Sequence, residues 1–108
     1  MAHAVVLTTA AKRDLEAIWD YIAENDSEQA AQHVLDHLFE RVRALSELPE
    51  RGARPQEMVG LGGRDLRQIF FKPYRVLYRV RQDRVIIVLV ADGRRDMRRL
   101  LQQRLLSG

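Results

Sequence analysis

Arginine dominates the chemistry this sequence could perform. Arg75, Arg79 and Arg81 recur with one parity along a single stretch, and Arg94, Arg95, Arg98 and Arg99 form a second cluster. A guanidinium presents a planar fork of N–H donors that fits a phosphate or carboxylate two bonds at a time. It also stays protonated at physiological pH, which makes it a poor general base. A site built of arginines alone can therefore grip an anion, yet it has little means of moving a proton. His33 and His37, spaced i, i+4 with Glu40 a turn later, could in principle chelate a metal. They lack the glutamate of an H-E-x-x-H pair, and a solvated helix face explains them as well, so no metal is expected. The absence of cysteine excludes disulfides, zinc thiolates and thiol catalysis. No G-x-x-x-x-G-K-[ST] or G-x-G-x-x-G pattern occurs, and no cofactor is expected.

The charge is unevenly distributed. Residues 1–63 hold 6 Lys+Arg and 11 Asp+Glu, whereas residues 64–108 hold 12 Lys+Arg and 4 Asp+Glu. The second part is thus net +8 and should present a positive field to an anionic partner: nucleic acid, a ribosome or an acidic protein segment. Eleven of its 12 cations are arginine, so a soluble surface from an arginine-rich proteome is the plain alternative. The 108 residues suit one domain spanning 1–108. No apolar run approaches a membrane span, and the N-terminus lacks the pattern of a signal peptide, so a cytoplasmic protein without membrane contact is expected.

These side chains must be positioned by regular elements. Ala4–Leu7 reads as a short strand, and Thr8 or Thr9 offers a helix cap. Leu15, Ile18, Trp19 and Ile22 then mark one face of a helix over about residues 10–24. Trp19 on that stripe predicts core packing, so Trp19→Ala should cost about 3–5 kcal/mol if the side chain is buried. Asp26 with Gln29 suggests a capping box for a second helix, whose apolar face runs from Ala31 to Leu45 before Pro49. The short polar link predicts an antiparallel helical hairpin. Residues 49–63, with Pro49, Gly52, Pro55, Gly60, Gly62 and Gly63, read as a loop.

Three strands follow, over about 65–71, 74–81 and 85–90. In the second, Tyr74, Val76, Tyr78 and Val80 face one way, and Arg75, Leu77, Arg79 and Arg81 the other. That second face is either a positive binding surface or an ordinary solvated one. Val85–Val90 is apolar throughout, as expected of a central strand buried on both faces. A last helix over about 95–106 turns Met97, Leu100, Leu101 and Leu105 inward. Arginines at its start oppose the helix dipole, which points to a binding role for them and not to stability. The order β-α-α-β-β-β-α predicts an α+β fold: a helical hairpin on a small, mostly antiparallel four-stranded sheet.

Three blocks resemble the RelE/ParE superfamily of toxins from type II toxin–antitoxin systems. Ala11, Asp14, Leu15, Ile18 and Tyr21 follow the A-x-x-D-L-x-x-I-x-x-Y pattern of ParE-type opening helices. Pro73-Tyr74-Arg75-Val76-Leu77-Tyr78-Arg79-Val80 is similar to the superfamily's "YR-V-x-Y" strand, and Asp92-Gly93-Arg94-Arg95-Asp96 with Leu100, Leu101, Arg104 and Leu105 to its C-terminal segment. The resemblance covers nearly the whole chain. It implies a toxin silenced by a protein antitoxin, with DNA gyrase as the target in ParE-like members and ribosome-bound mRNA in RelE-like ones.

The RelE-like members cut RNA with lysines and arginines on the sheet plus a late tyrosine. The resemblance puts Arg75 and Arg95 at arginine positions, the lysine positions near Leu66 and Gln68, and the tyrosine near Leu101. Asp92 stands where other members carry a histidine. Charge-binding residues are thus kept and proton-transfer residues are not, which favours the ParE-like branch acting by binding. A ribosome-dependent mRNA endonuclease using Arg75 and Arg95 is the alternative, and a non-toxic antitoxin-binding module a third. The expected target- or antitoxin-binding set is Arg75, Arg79, Arg81, Arg94, Arg95, Arg98 and Arg99. Arg75→Ala and Arg95→Ala are each expected to lower toxicity with the fold intact.

Overall fold

The computed structural model describes residues 2–58 and 65–106. Gly60, Gly62 and Gly63 of the expected loop lie outside the described residues. The elements run β1 (Ala4–Leu7), α1 (Thr9–Asn25), α2 (Glu28–Ala44), a single 3₁₀ turn (Gln56–Met58), β2 (Leu66–Phe71), β3 (Tyr74–Arg81), β4 (Arg84–Asp92) and α3 (Met97–Leu106). Among the described residues no helix is long and apolar enough to cross a membrane.

The helical hairpin forms as its periodicity requires. Thr8 Oγ1 caps α1 by accepting from Ala11 N at 3.0 Å. The cap of α2 differs from expectation. Ser27, in extended backbone, accepts from Ala30 N at 2.9 Å, while Asp26 closes α1 through its N–H to Ile22 O. The Asp26–Gln29 capping box therefore does not form, because its register is one residue early. Nor does α2 run to Pro49. It ends at Ala44, and tight i→i−3 bonds turn the chain at Leu45–Glu47, where Ser46 binds His3 on both its backbone and hydroxyl oxygens. The inner stripe of Leu15, Leu35, Leu38, Val42 and Leu45 is buried. Each such side chain contributes roughly 1.5–3 kcal/mol of hydrophobic stabilisation.

The sheet order is β1-β4-β3-β2, with β1 parallel to β4 and the other pairs antiparallel. The uniformly apolar β4 is central, with Val85, Ile87, Leu89 and Val90 at 3% exposure or less. A β-bulge interrupts its alternation: Leu77 pairs with Leu89 and Tyr78 with Ile87, leaving Val88 over. Val88 and Leu89 consequently serve one face together, while Val85, Ile87 and Val90 serve the other.

One face packs on the helical hairpin, receiving Val76 and Tyr78 with Tyr74 and Val80 at the margin. The other packs on α3 and the 3₁₀ turn through Leu66, Leu77, Leu89, Met58, Met97 and Leu101. This second layer decides the environment of the β3 arginines: their face is not a bare solvated sheet. Helix α3 starts two residues later than expected. Asp96 caps it, its Oδ1 accepting from Arg99 N at 3.1 Å, which supplies an anion at an N-terminus otherwise crowded with cations.

Candidate functional site

Arg75 is in the middle of the sheet, on the face that α3 covers. Strand β3 holds its backbone between Phe70 of β2 and Ala91 of β4. Its stem runs past Gly93, where a Cβ would stand 2.7 Å from Arg75 Cδ, so glycine leaves the room that the side chain fills. At 8% exposure it is a buried charge, which needs a partner. Glu57 on the 3₁₀ turn supplies one: Arg75 Nη1 donates to Oε2 at 2.7 Å and Nη2 to Oε1 at 2.8 Å. Arg75 Nε and Nη2 both donate to Gln68 Oε1. Phe70 lies beneath the guanidinium carbon at 5.8 Å.

This pair sets the electrostatics. The Arg75 fork, partly opposed by burial, lowers the Glu57 carboxyl from 4.5 to about 2. Glu57 is a proton acceptor placed beside the key arginine, but so acidic a carboxylate is a weak base at neutral pH, and both its oxygens are occupied. Sequence reasoning missed Glu57. It lies 18 residues before Arg75 in a loop without periodicity, and no short-range pattern announces the contact. Gln68, at one of the lysine positions, brings an acceptor to Arg75 where the resemblance would place a cation.

The seven arginines of the expected binding set do not form one site. Arg98 joins Arg75 through Glu57, its Nη1 reaching Glu57 O at 3.5 Å. Arg94 folds back on Asp92, with Nη2–Oδ2 at 2.6 Å and two further bonds to Oδ1. That contact with Arg94 holds the Asp92 carboxyl below its ordinary range. Arg95 and Arg99 are exposed, and among the described residues neither side chain has an ion-pair partner. Arg79 and Arg81 lie at the other end of β3 and share Asp65, at 3.3 and 3.1 Å. From Arg75 to Arg81 the strand rises about 20 Å, so the set divides between two ends of the sheet.

Candidate proton-transfer positions are occupied by other kinds of residue. Leu66 and Leu101 are fully buried in the cluster beneath α3. Asp92 is ionised and bound to Arg94. Tyr78 faces the helical hairpin, its hydroxyl accepting from Gly52 N at 2.9 Å, and burial raises its pKa. Tyr74 faces the same side, again with burial raising its pKa. His37 is not simply solvated: its ring stacks on Phe71 at 5.1 Å, with His33 edge-on at 4.4 Å. Trp19 packs against the core but is only partly buried.

Asp14, part of the first sequence block, has a structural task. Beyond Ile87, β4 leaves its β1 neighbour, which exposes backbone groups. Asp14 Oδ2 accepts from Val90 N at 2.9 Å, and Arg104 Nη1 donates to Val88 O at 2.7 Å. A two-point ion pair at 2.8 Å joins Arg104 to Asp14. The pair closes the open edge at the bulge and pins α3 to α1.

Residues 5–97 match the family model described as the ParE toxin of the type II toxin-antitoxin system parDE. The chain belongs to this family. It is 29% identical to Toxin ParE3 of Caulobacter vibrioides over 93 residues, which cover 86% of this chain and 89% of that protein. Its fold is similar to that in the chromosomal ParDE system of P. aeruginosa, with a TM-score of 0.71 at 21% identity, covering 84% of this chain and 96% of the other. The toxin–antitoxin complex RelBE2 of Mycobacterium tuberculosis gives 0.60 at 23% identity, covering 85% and 92%. A free mutant of E. coli RelE gives 0.62 at 15%, covering 95% and 98%. This protein is a toxin of a type II toxin–antitoxin pair, ParE-like in sequence, with the α+β architecture shared by ParE and RelE folds.

Proposed function

We propose that this ParE-family toxin acts by binding DNA gyrase in the cytoplasm, through the exposed arginines around the start of α3, and that a cognate antitoxin neutralises it. The observation that carries this reading is the missing acid–base couple around Arg75. The nearest carboxylate, Glu57, is held near pKa 2 by the arginine itself. The positions of the lysine and tyrosine used by RNA-cutting relatives are Leu66 and Leu101, both in the core. RNA cleavage without a metal needs a base for the 2′-hydroxyl and an acid for the leaving oxygen, and neither is at hand.

Arg95 and Arg99 are the freest cations of this end, and Arg75 lies behind them in its pair with Glu57. Purified toxin added to a gyrase supercoiling reaction is expected to stop supercoiling and trap cleaved DNA–gyrase complexes. Intact supercoiling, together with cuts at codon positions in ribosome-bound mRNA, would replace this reading with the endonuclease. Neither effect, and no growth arrest on expression, would leave a module that only binds its antitoxin.

A further inference from the structure

At the β3–β4 turn, the face opposite the helical hairpin opens into a cleft of about 850 Å³ between the start of α1 and the end of α3. Five arginines line it: Arg13, Arg79, Arg81, Arg84 and Arg104. Only two carboxylates pair with them, Asp65 with Arg79 and Arg81, and Asp14 with Arg104. The cluster therefore keeps a surplus of three positive charges. Among the described residues, Arg13 and Arg84 have no ion-pair partner, and Arg79 Nε is buried 3.3 Å from Asp65 Oδ2 without making a hydrogen bond. Thr9 and Ala10, the first residues of a 17-residue helix, bring the positive end of its dipole to the same space.

We propose that this cleft is a docking site for a segment of the antitoxin in which acidic and apolar residues are interleaved. The proposal rests on the pairing with an antitoxin and not on the choice of gyrase as target. Two features favour a peptide over a nucleic acid strand. The floor is apolar, formed by Ile86, Val88 and Leu105, while the cations stand around it. Leucine or valine side chains can fill such a floor as neighbouring carboxylates meet the guanidinium forks two bonds at a time. A nucleic acid strand would instead call for aromatic platforms on which bases stack, and no aromatic residue lines the cleft. The consequence is a division of labour. Arg79 and Arg81 serve the antitoxin at one end of the sheet, leaving Arg95 and Arg99 for the target at the other.

The test compares binding of purified antitoxin, expressed from the adjacent reading frame, to the wild-type chain and to the double variant Arg13→Ala/Arg84→Ala. Both arginines are exposed, and a thermal melt checks that the variant is folded. The expected result is a Kd weakened about tenfold or more, with the loss shrinking in high salt. Unchanged affinity overturns the docking site while the pairing stands. No binding by either protein overturns the pairing, and the docking site with it. A labelled single-stranded oligonucleotide that binds through Arg13 and Arg84 more tightly than the antitoxin also overturns the proposal, by assigning the cleft to nucleic acid.

Discussion

Replacing Glu57 by glutamine removes one charge from the pair that neutralises Arg75 and leaves the shape almost unchanged. The lowering of the carboxyl from 4.5 to about 2 measures how much better the folded chain holds the ionised form. At 1.36 kcal/mol per tenfold change, the drop corresponds to roughly 3 kcal/mol. Glutamine keeps one oxygen for the guanidinium, and the Glu57 side chain is 30% exposed, so solvent screens part of the effect. We expect Glu57→Gln to cost about 2 kcal/mol at neutral pH. The pH dependence is the sharper signature. A carboxyl depressed in the folded state stabilises fully above its unfolded pKa, and that stability fades as pH falls through the folded value. The gap between wild type and variant should therefore close over the window from 4.5 down to about 2. Urea denaturation at a series of pH values reads it directly, because urea leaves ionic contacts unscreened. A gap that stays constant across that window would show that no ionised Glu57 is paired with Arg75.

Other consequences are open to the same methods. Asp14→Ala leaves Val90 N without its acceptor and Arg104 without its partner, at an expected cost of about 3 kcal/mol in urea denaturation; a loss under about 0.5 kcal/mol would show the clamp to be incidental. Tyr78→Phe strips the buried Gly52 N–H of its acceptor and should cost about 1–3 kcal/mol by thermal melting, with unchanged stability refuting that bond. Arg95→Ala should relieve growth arrest at unchanged melting temperature, and full toxicity would remove Arg95 from the binding surface. Arg75→Ala, expected from sequence to spare the fold, should instead lose about 2–3 kcal/mol because it strands Glu57, so its toxicity is interpretable only beside its melting curve. Trp19→Ala should cost less than the 3–5 kcal/mol of a fully buried tryptophan, about 2 kcal/mol, since the ring is only partly covered.

The parts of the fold legible in the sequence are those governed by local pattern. The i, i+3, i+4 stripe of α1 and the unbroken apolar run of β4 determine which faces are buried, and side-chain burial drives both elements. Contacts between residues far apart in the chain leave no such trace. The parallel pairing of β1 with β4 joins Ala4 to Arg84, and the Asp14–Arg104 clamp spans 90 residues. The bulge at Val88 was hidden for a different reason: where every residue is apolar, a change of alternation cannot be seen. Of the candidate site, the arginine types were plain from sequence. Their state was not, because Arg75 is buried against a loop glutamate, and only three-dimensional proximity distinguishes it from exposed Arg95.

The account stands on occupation without bond breaking, and stoichiometry addresses that most directly. Toxin is titrated against a fixed amount of gyrase and, separately, against mRNA on programmed ribosomes. Inhibition of gyrase should rise in proportion to toxin and level off at a fixed ratio of toxin to enzyme, with the mRNA uncut at any dose. Complete loss of full-length message at a small fraction of one toxin per ribosome would mean turnover, and would contradict it.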